Sequence, residues 1–326
     1  NSTLTNGAGD NSYRYAGGDY VLTDAGKATG ATMMIGYSNT LTTALIDFYC
    51  NGTKQYVGYN CSSSQTHYYL IKGDTTQYQS YNEALSASVE KGYLTKDNVK
   101  NFVCFGSDAT PCPEDNLYRI IGMIDNKVKL IKYDCASRNL LGTSGESPYK
   151  TDPSLMYLGT LTKIDYYRIN GSSILSNNWS DSPLNKTNLN TSFINNMGNT
   201  WTSKIATTTW KVGGGSSTYL TDVPATAYQY EVGSNASSTT YDAKIGLMYV
   251  SDYYYSASPS AWTLVGNNSS DATKDYRAAK TTNWLFSGQE WTISRNSDDS
   301  DNAFLVNSAG YVNINSVDFG YHVRPS

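Results

Sequence analysis

All five cysteines of this 326-residue chain fall between residues 50 and 135, and their spacing constrains the fold more than any other feature. Cys50 and Cys61 flank a segment rich in Asn, Gly and Tyr; Cys104 and Cys112 bracket the turn-rich Phe-Gly-Ser-Asp-Ala-Thr-Pro. Loops this short are readily closed by disulfides, each worth roughly 2–3 kcal/mol. A zinc site would need C-x2-C spacing or histidine partners nearby, and neither occurs. The expected bridges are Cys50–Cys61 and Cys104–Cys112, which imply an oxidising, extracellular compartment. Cys135 follows a strand-like run and is expected to be a small core residue, not a reactive thiol.

The charge pattern removes several function classes. Charged residues make up 16% of the chain, against about 25% in ordinary soluble domains. Ser, Thr, Asn, Gly and 29 Tyr replace them. A formal charge of −4 without a Lys/Arg run offers no footprint for nucleic acid. No uninterrupted apolar stretch is long enough to span a bilayer: the most apolar segment, Ala31 to Cys50, is broken by Gly36, Asn39, four Thr and Asp47. The chain opens on Asn1 instead of Met, so any signal or anchor segment is expected either to have been removed or to lie outside this sequence. His67 and His322 are the only histidines, which limits metal and acid–base chemistry, and no metal site or cofactor is expected. Sequon matches at Asn51, Asn170, Asn178, Asn185, Asn190 and Asn235 arise by chance in so Asn/Ser/Thr-rich a chain and establish no glycosylation.

Hydrophobic periodicity divides the chain near residue 100. Residues 1–100 form an N-terminal accessory region that begins without periodicity and holds strand-like runs at Met33-Met34-Ile35 and Tyr68-Tyr69-Leu70. Tyr81, Ala84, Leu85 and Val89 then fall at helical spacing, with Gly92 placed as a C-terminal cap. Residues 101–326 form the second unit. Leu117 to Ile124, Asp125-Asn126 and Lys127 to Tyr133 predict a β-hairpin. Leu184, Leu189, Phe193, Met197 and Trp201 step by four or five residues, loosely helical, with Gly198 near the end. Short strands are expected at 204–212, 244–250, 290–294 and 303–306. The fold class is α+β, with many short strands, two or three helices and long loops.

The C-terminal third carries a resemblance. Gly288-Gln-Glu-Trp-Thr-Ile-Ser-Arg295 resembles the G-x-x-W-E-W-T stretch of the formylglycine-generating-enzyme type of C-type-lectin fold. Gly320-Tyr-His-Val-Arg-Pro325 resembles its closing strand, and Leu117-Tyr-Arg-Ile-Ile-Gly and Trp179-Ser-Asp-Ser-Pro-Leu-Asn are similar to segments of pilin-like bacterial surface proteins. The resemblance covers residues 101–325. It implies a C-type-lectin-like domain, in some members a target of diversity-generating retroelements that vary positions on a fixed scaffold. On that basis Phe304, Val306, Val312, Ile314 and Val317 are expected in the core. Asn296, Asp298, Asp299, Asp301, Asn302, Asn307, Tyr311, Asn313, Asn315, Asp318, Tyr321 and His322 are expected on an outward binding face.

Other features compete with that picture. The catalytic branches of the fold need late redox cysteines or a histidine cluster, and the C-terminal half has neither. No G-x-S-x-G elbow occurs. The chain is expected not to be an enzyme, although a glycosidase carboxylate pair leaves no spacing signature. Tyr253, Tyr254 and Tyr255 either flank the binding face as an aromatic platform or pack inside. The six tryptophans are expected mainly in the core. Asp298, Asp299 and Asp301 form a solvated turn or, less favoured, ligate calcium. Arg119 and Arg295, charged residues inside strand-like runs, are expected to meet an acid or a carbonyl. The functional expectation is an adhesin-like extracellular protein that recognises a protein or glycan. A surface-filament subunit and a carbohydrate-binding or carbohydrate-active protein are the alternatives.

Overall fold

A computed structural model of the chain describes residues 2–3, 13–14, 20–31, 45–55, 61–62, 64–96, 101–124, 127–142, 164–165, 175–222, 224–256, 283–317 and 319–326. The strands are short because the apolar runs are short and end at turn-forming Gly, Asn, Asp or Ser. The first half contributes β1 (Ser2–Thr3), β2 (Tyr13–Arg14), β3 (Tyr20–Leu22), β4 (Ile46–Cys50), β5 (Thr53–Gln55), β6 (His67–Ile71), β7 (Gln77–Tyr78), β8 (Leu94–Lys96), β9 (Phe102–Cys104), β10 (Leu117–Ile124), β11 (Lys127–Lys132) and β12 (Ile164–Asp165). The second half contributes β13 (Thr208–Lys211), β14 (Thr240–Ala243), β15 (Glu290–Arg295), β16 (Asn302–Val306), β17 (Val312–Ser316) and β18 (Gly320–Tyr321). They pair antiparallel in small sheets, among which helices are interspersed, so the architecture is α+β.

The local signals behave as their chemistry requires. The hairpin of β10 and β11 runs in register from Ile124↔Lys127 to Tyr118↔Lys132, with an irregularity at Ile121. Its turn, Asp125-Asn126, lies outside the described residues, as do Met33 to Ile35 and Trp262. The helix Tyr81–Glu90 is capped by Ser80, whose hydroxyl accepts from Glu83 N–H at 3.2 Å, and Gly92 leaves it at φ +70. The sulfur pairs form as spaced: Cys50 and Cys61 have Cα atoms 5.8 Å apart, Cys104 and Cys112 5.7 Å. Cys135 is buried, and desolvation pushes its thiol up to about 12, so it stays protonated and inert at neutral pH. Arg119 meets Asn101 Oδ1 and the Trp284 carbonyl, and Arg295 meets the Gly213 carbonyl.

The five-residue steps of 184–193 have a geometric origin. Leu184–Phe193 is a π-helix, whose hydrogen bonds span five residues, so Leu184 and Leu189 stack on one buried side. The side chains of Asn190 and Thr191 reinforce it by donating to carbonyls five residues back, Asn185 O and Lys186 O. Gly198, at φ +84, ends the helical run at Met197 and starts a new turn, Asn199–Thr202, that carries Trp201.

β16 lies between two buried clusters. Phe304 and Val306 enter one buried cluster, which also holds Ile46, Ile71, Leu94, Ile131, Met248 and Val312. Ala303 and Leu305 enter a second, with Trp179, Leu189, Phe193, Trp210 and Trp291. Successive side chains point to opposite faces of a strand, so the sheet of β15, β16 and β17 is covered on both sides. Burial of one such large apolar side chain contributes about 1.5–3 kcal/mol, and Trp179, Trp291, Phe193 and Phe304 each expose at most 1% of their surface. Residues 31–94 share the first cluster with residues 121–312.

One sequence expectation fails here. Residues 244–250 are not a strand: Leu247 makes a single bridge to Pro325, and the helix Val250–Ser256 begins at once. The buried Glu231 carboxylate accepts from Val250 N–H and Ser251 N–H, which satisfies a helix start, and Gly246 packs under the Trp210 ring without room for a side chain. Helices are few among the described residues: three α-helical segments run seven residues or more, Tyr81–Glu90, Pro224–Glu231 and Val250–Ser256, and the other five have only four or five residues, too short to leave a periodic signature.

Candidate functional site

The residues expected to form a binding face differ widely in exposure. Tyr253, Tyr254 and Tyr255 expose 0%, 0% and 2% of their surface. Tyr253 donates to Gly310 O at 2.6 Å, Tyr254 to Leu220 O at 2.8 Å, and Tyr255 meets Tyr228 edge-on. They are core residues and not an exposed platform: the Tyr253 and Tyr254 hydroxyls find carbonyl partners inside, which removes the usual cost of burying a phenol. Asn296 is buried too, its Oδ1 accepting from Asp298 N–H.

The remaining tail polar groups mostly serve their own backbone. Asn307, Asn313 and Asn315 are half-buried, and each Oδ1 accepts a backbone N–H one or two residues on. Asn315 Nδ2 also donates to the Tyr321 hydroxyl, and the Tyr321 ring packs edge-on against Trp291 at 4.8 Å. Tyr311 and His322 are half-buried. Asp298, Asp299 and Asp301 are exposed, and Asp299 accepts from Asp301 N–H and from Asn302 Nδ2. The carbonyls of Asn296, Asp299 and Asn302 turn inward onto Asn177 Nδ2 at 2.7–2.8 Å, where a cation at this loop would need them. Asp318 lies outside the described residues.

A different set of residues converges. Between the β10–β11 hairpin and β13 lies a groove of about 1020 Å³, within the size range of ligand sites. Phe193, Met197, Ile205, Trp210 and Tyr249 supply much of its apolar lining. The π-helix sets the position of Phe193, while Asn190 clamps Ile245 by donating to its carbonyl and accepting from its N–H. The helix Pro224–Glu231 contributes Tyr228 and Gln229, and the chain end contributes Pro325 and Ser326.

Its electrostatics oppose those of the whole chain. Five lysines line it, Lys127, Lys129, Lys204, Lys211 and Lys244, and among the described residues no Asp, Glu, His or Cys does. Lys129 is neutralised by Asp252, a carboxylate with 0% of its side chain exposed that also accepts from Tyr249 N–H. The other four have no carboxylate within ion-pair distance among the described residues. Lys204 lies over the Trp201 ring at 4.1 Å and Lys244 donates to Thr202 O at 2.6 Å, contacts that hold the ammonium without cancelling its charge. Beneath this floor, desolvation pushes the Glu231 carboxyl up to about 7, against the lowering pull of its hydrogen bonds to Ser251 and Val250.

This groove was invisible in the sequence because its walls come from residues 105–326. The one local trace is Lys127-Val-Lys-Leu, two cations on one face of an amphipathic strand. No protein-family model, curated protein or solved structure matches this chain.

Proposed function

We propose that this chain is a non-catalytic, extracellular recognition protein that takes an acidic ligand in the lysine-rimmed groove. The observation that carries the reading is four lysines around one apolar cavity that have no carboxylate partner among the described residues, in a chain whose formal charge is −4. Charges left uncompensated on a shaped site attract and orient a ligand of opposite sign. The two disulfides support the extracellular setting. The lack of a paired acid, base or nucleophile among the groove residues favours binding over turnover.

The C-type-lectin-like scaffold is part of the same proposal. Its support is that the two motifs carrying the resemblance meet inside the fold. Arg324 pairs with Glu290, Trp291 N–H donates to His322 O, and His322 N–H donates to Gln289 O. The closing residues return to β12 and to the end of β11: Tyr321 pairs with Ile164, and Lys132 N–H donates to Pro325 O. The binding surface moves from the tail turns, where sequence placed it, to the groove.

The test is calorimetric titration with hexaglutamate and with tetragalacturonate. Wild-type protein binds at least one of them, more weakly as salt rises. The triple variant Lys127→Gln, Lys204→Gln, Lys211→Gln binds about tenfold or more weaker, each exposed charge contributing of order 0.5 kcal/mol, at unchanged melting temperature. Binding that ignores these three lysines, or no binding of either probe, removes the proposal.

A further inference from the structure

The groove is bounded by strand edges, not strand faces. Lys127, Val128, Lys129 and Leu130 all line it, four consecutive residues of β11. Successive side chains of a strand point to opposite faces, so four in a row reach one cavity only where the edge of the strand opens onto it. Thr208, Thr209, Trp210 and Lys211 of β13 line the other side in the same way.

The hydrogen bonds identify which backbone groups face inward. β11 pairs with β10 on one edge and is the outermost strand of its sheet. On its other edge Lys132 N–H donates to Pro325 O, and Leu130 O accepts from Ser326 Oγ. Backbone groups alternate in direction along an antiparallel strand, so the residue two positions further, Val128, turns its N–H and C=O to the groove as well. Among the described residues no strand takes them. The side chains beside this edge are unusually apolar for a surface: Val128 is 55% exposed and Met123, its cross-strand partner, 44%. On the opposite face of β11 stand Lys127 and Lys129.

We infer that the occupant of the groove is an extended polypeptide segment of alternating acidic and apolar residues, added as a strand to the open edge of β11. The inference rests on the acidic-ligand reading and specifies it. Main-chain hydrogen bonds to Val128 hold the segment, as in other cases of strand addition. Its carboxylates face Lys127 across the ladder, and its apolar side chains cover Val128 and Met123. An acidic glycan satisfies the charge but leaves the edge amides and the apolar pair unused, which is why a peptide is favoured. Covering the edge also removes a template for uncontrolled strand pairing.

The experiment compares Ac-(Glu-Val)4-NH2, the same peptide with alternate backbone amides N-methylated, and tetragalacturonate, each titrated into wild-type protein and into Val128→Pro. Proline at an outward position of an edge strand removes one donor and leaves the β10 ladder intact. The unmodified peptide is expected to bind wild type. N-methylation and Val128→Pro are each expected to weaken it about tenfold, the effect of losing one to three hydrogen bonds. Tetragalacturonate is expected not to distinguish the two proteins. The N-methylated arm needs no variant, so misfolding of Val128→Pro would not obscure the answer. Equal binding of methylated and unmethylated peptide, or binding of tetragalacturonate alone, overturns strand addition while leaving an acidic-ligand groove. Dimerisation blocked by Val128→Pro, without peptide binding, assigns the edge to a second copy and overturns it too. Failure of every acidic probe removes both readings.

Discussion

Replacing Arg324 with methionine is expected to lower the unfolding free energy by about 3–5 kcal/mol, the usual cost of stranding one partner of a buried ion pair. Arg324 exposes 2% of its side chain and Glu290 none. Arg324 Nε donates to Glu290 Oε2 at 2.7 Å, and its NH2 group donates to Oε1 and to Leu285 O. Burial already raises the Glu290 carboxyl, and the arginine is what draws it back down. Without the arginine the carboxyl would take up a proton, so the loss is larger at pH 8 than at pH 4. The double variant Glu290→Met, Arg324→Met, which removes both charges, should recover most of the loss. Urea denaturation of the two variants at both pH values is the measurement. A single variant that costs under about 1 kcal/mol would show that the pair does not hold the chain's last residues against β15.

The second large effect is a pH dependence centred on Glu231. Its folded carboxyl titrates at about 7, above the ordinary 4.5, because the side chain is fully desolvated. Between those values the folded state keeps a proton that the unfolded chain has released. Stability therefore falls as pH rises through this window: the contribution is complete below about 4.5 and gone above about 7. At 1.36 kcal/mol per pKa unit the change is about 3 kcal/mol. Glu231→Gln abolishes the titration, and the difference between wild-type and variant unfolding free energies isolates it from every other acid. That difference should shift by about 3 kcal/mol between pH 4.5 and pH 8. A flat difference would mean that water or relaxation solvates the carboxylate. The titration also lies under the groove floor, since Ser251 and Val250 join Glu231 to the turn that carries Tyr249 and Asp252.

Sequence disclosed the parts of the fold whose cause is local. The β10–β11 hairpin, the Ser80-capped helix and both disulfide spacings are each written within about 20 neighbouring residues. The core side chains of the tail were legible in part: Phe304, Val306, Val312 and Val317 are buried, while Ile314 is only half-buried. The outward face was not, because the interleaved Asn, Asp, Ser and Tyr were expected to point to solvent, and many of them are half-buried and bond to their own backbone. Asn302 to Val306 has both faces covered, a property of the surrounding chain that no window of the sequence contains. Tyr253 to Tyr255 stood between two readings for the same reason: they are core because carbonyls from residues 310 and 220 come to meet the Tyr253 and Tyr254 hydroxyls, and Tyr228 packs edge-on against Tyr255. The groove itself escaped, since its lysines stand on parts of the chain far apart in sequence until β11, β13 and the segments around residues 204 and 244 come together.

The placement of β16 has a consequence for how the molecule comes apart. The strand is a party wall, loaded from both rooms, and neither side can be emptied without bringing it down. Loosening at Trp179 or Trp291 is thus transmitted through Ala303 and Leu305 to their neighbours Phe304 and Val306, and on to the packing around Ile71 and Leu94. Melting is shared between the halves, and the amides of 303–306 are the last to meet solvent.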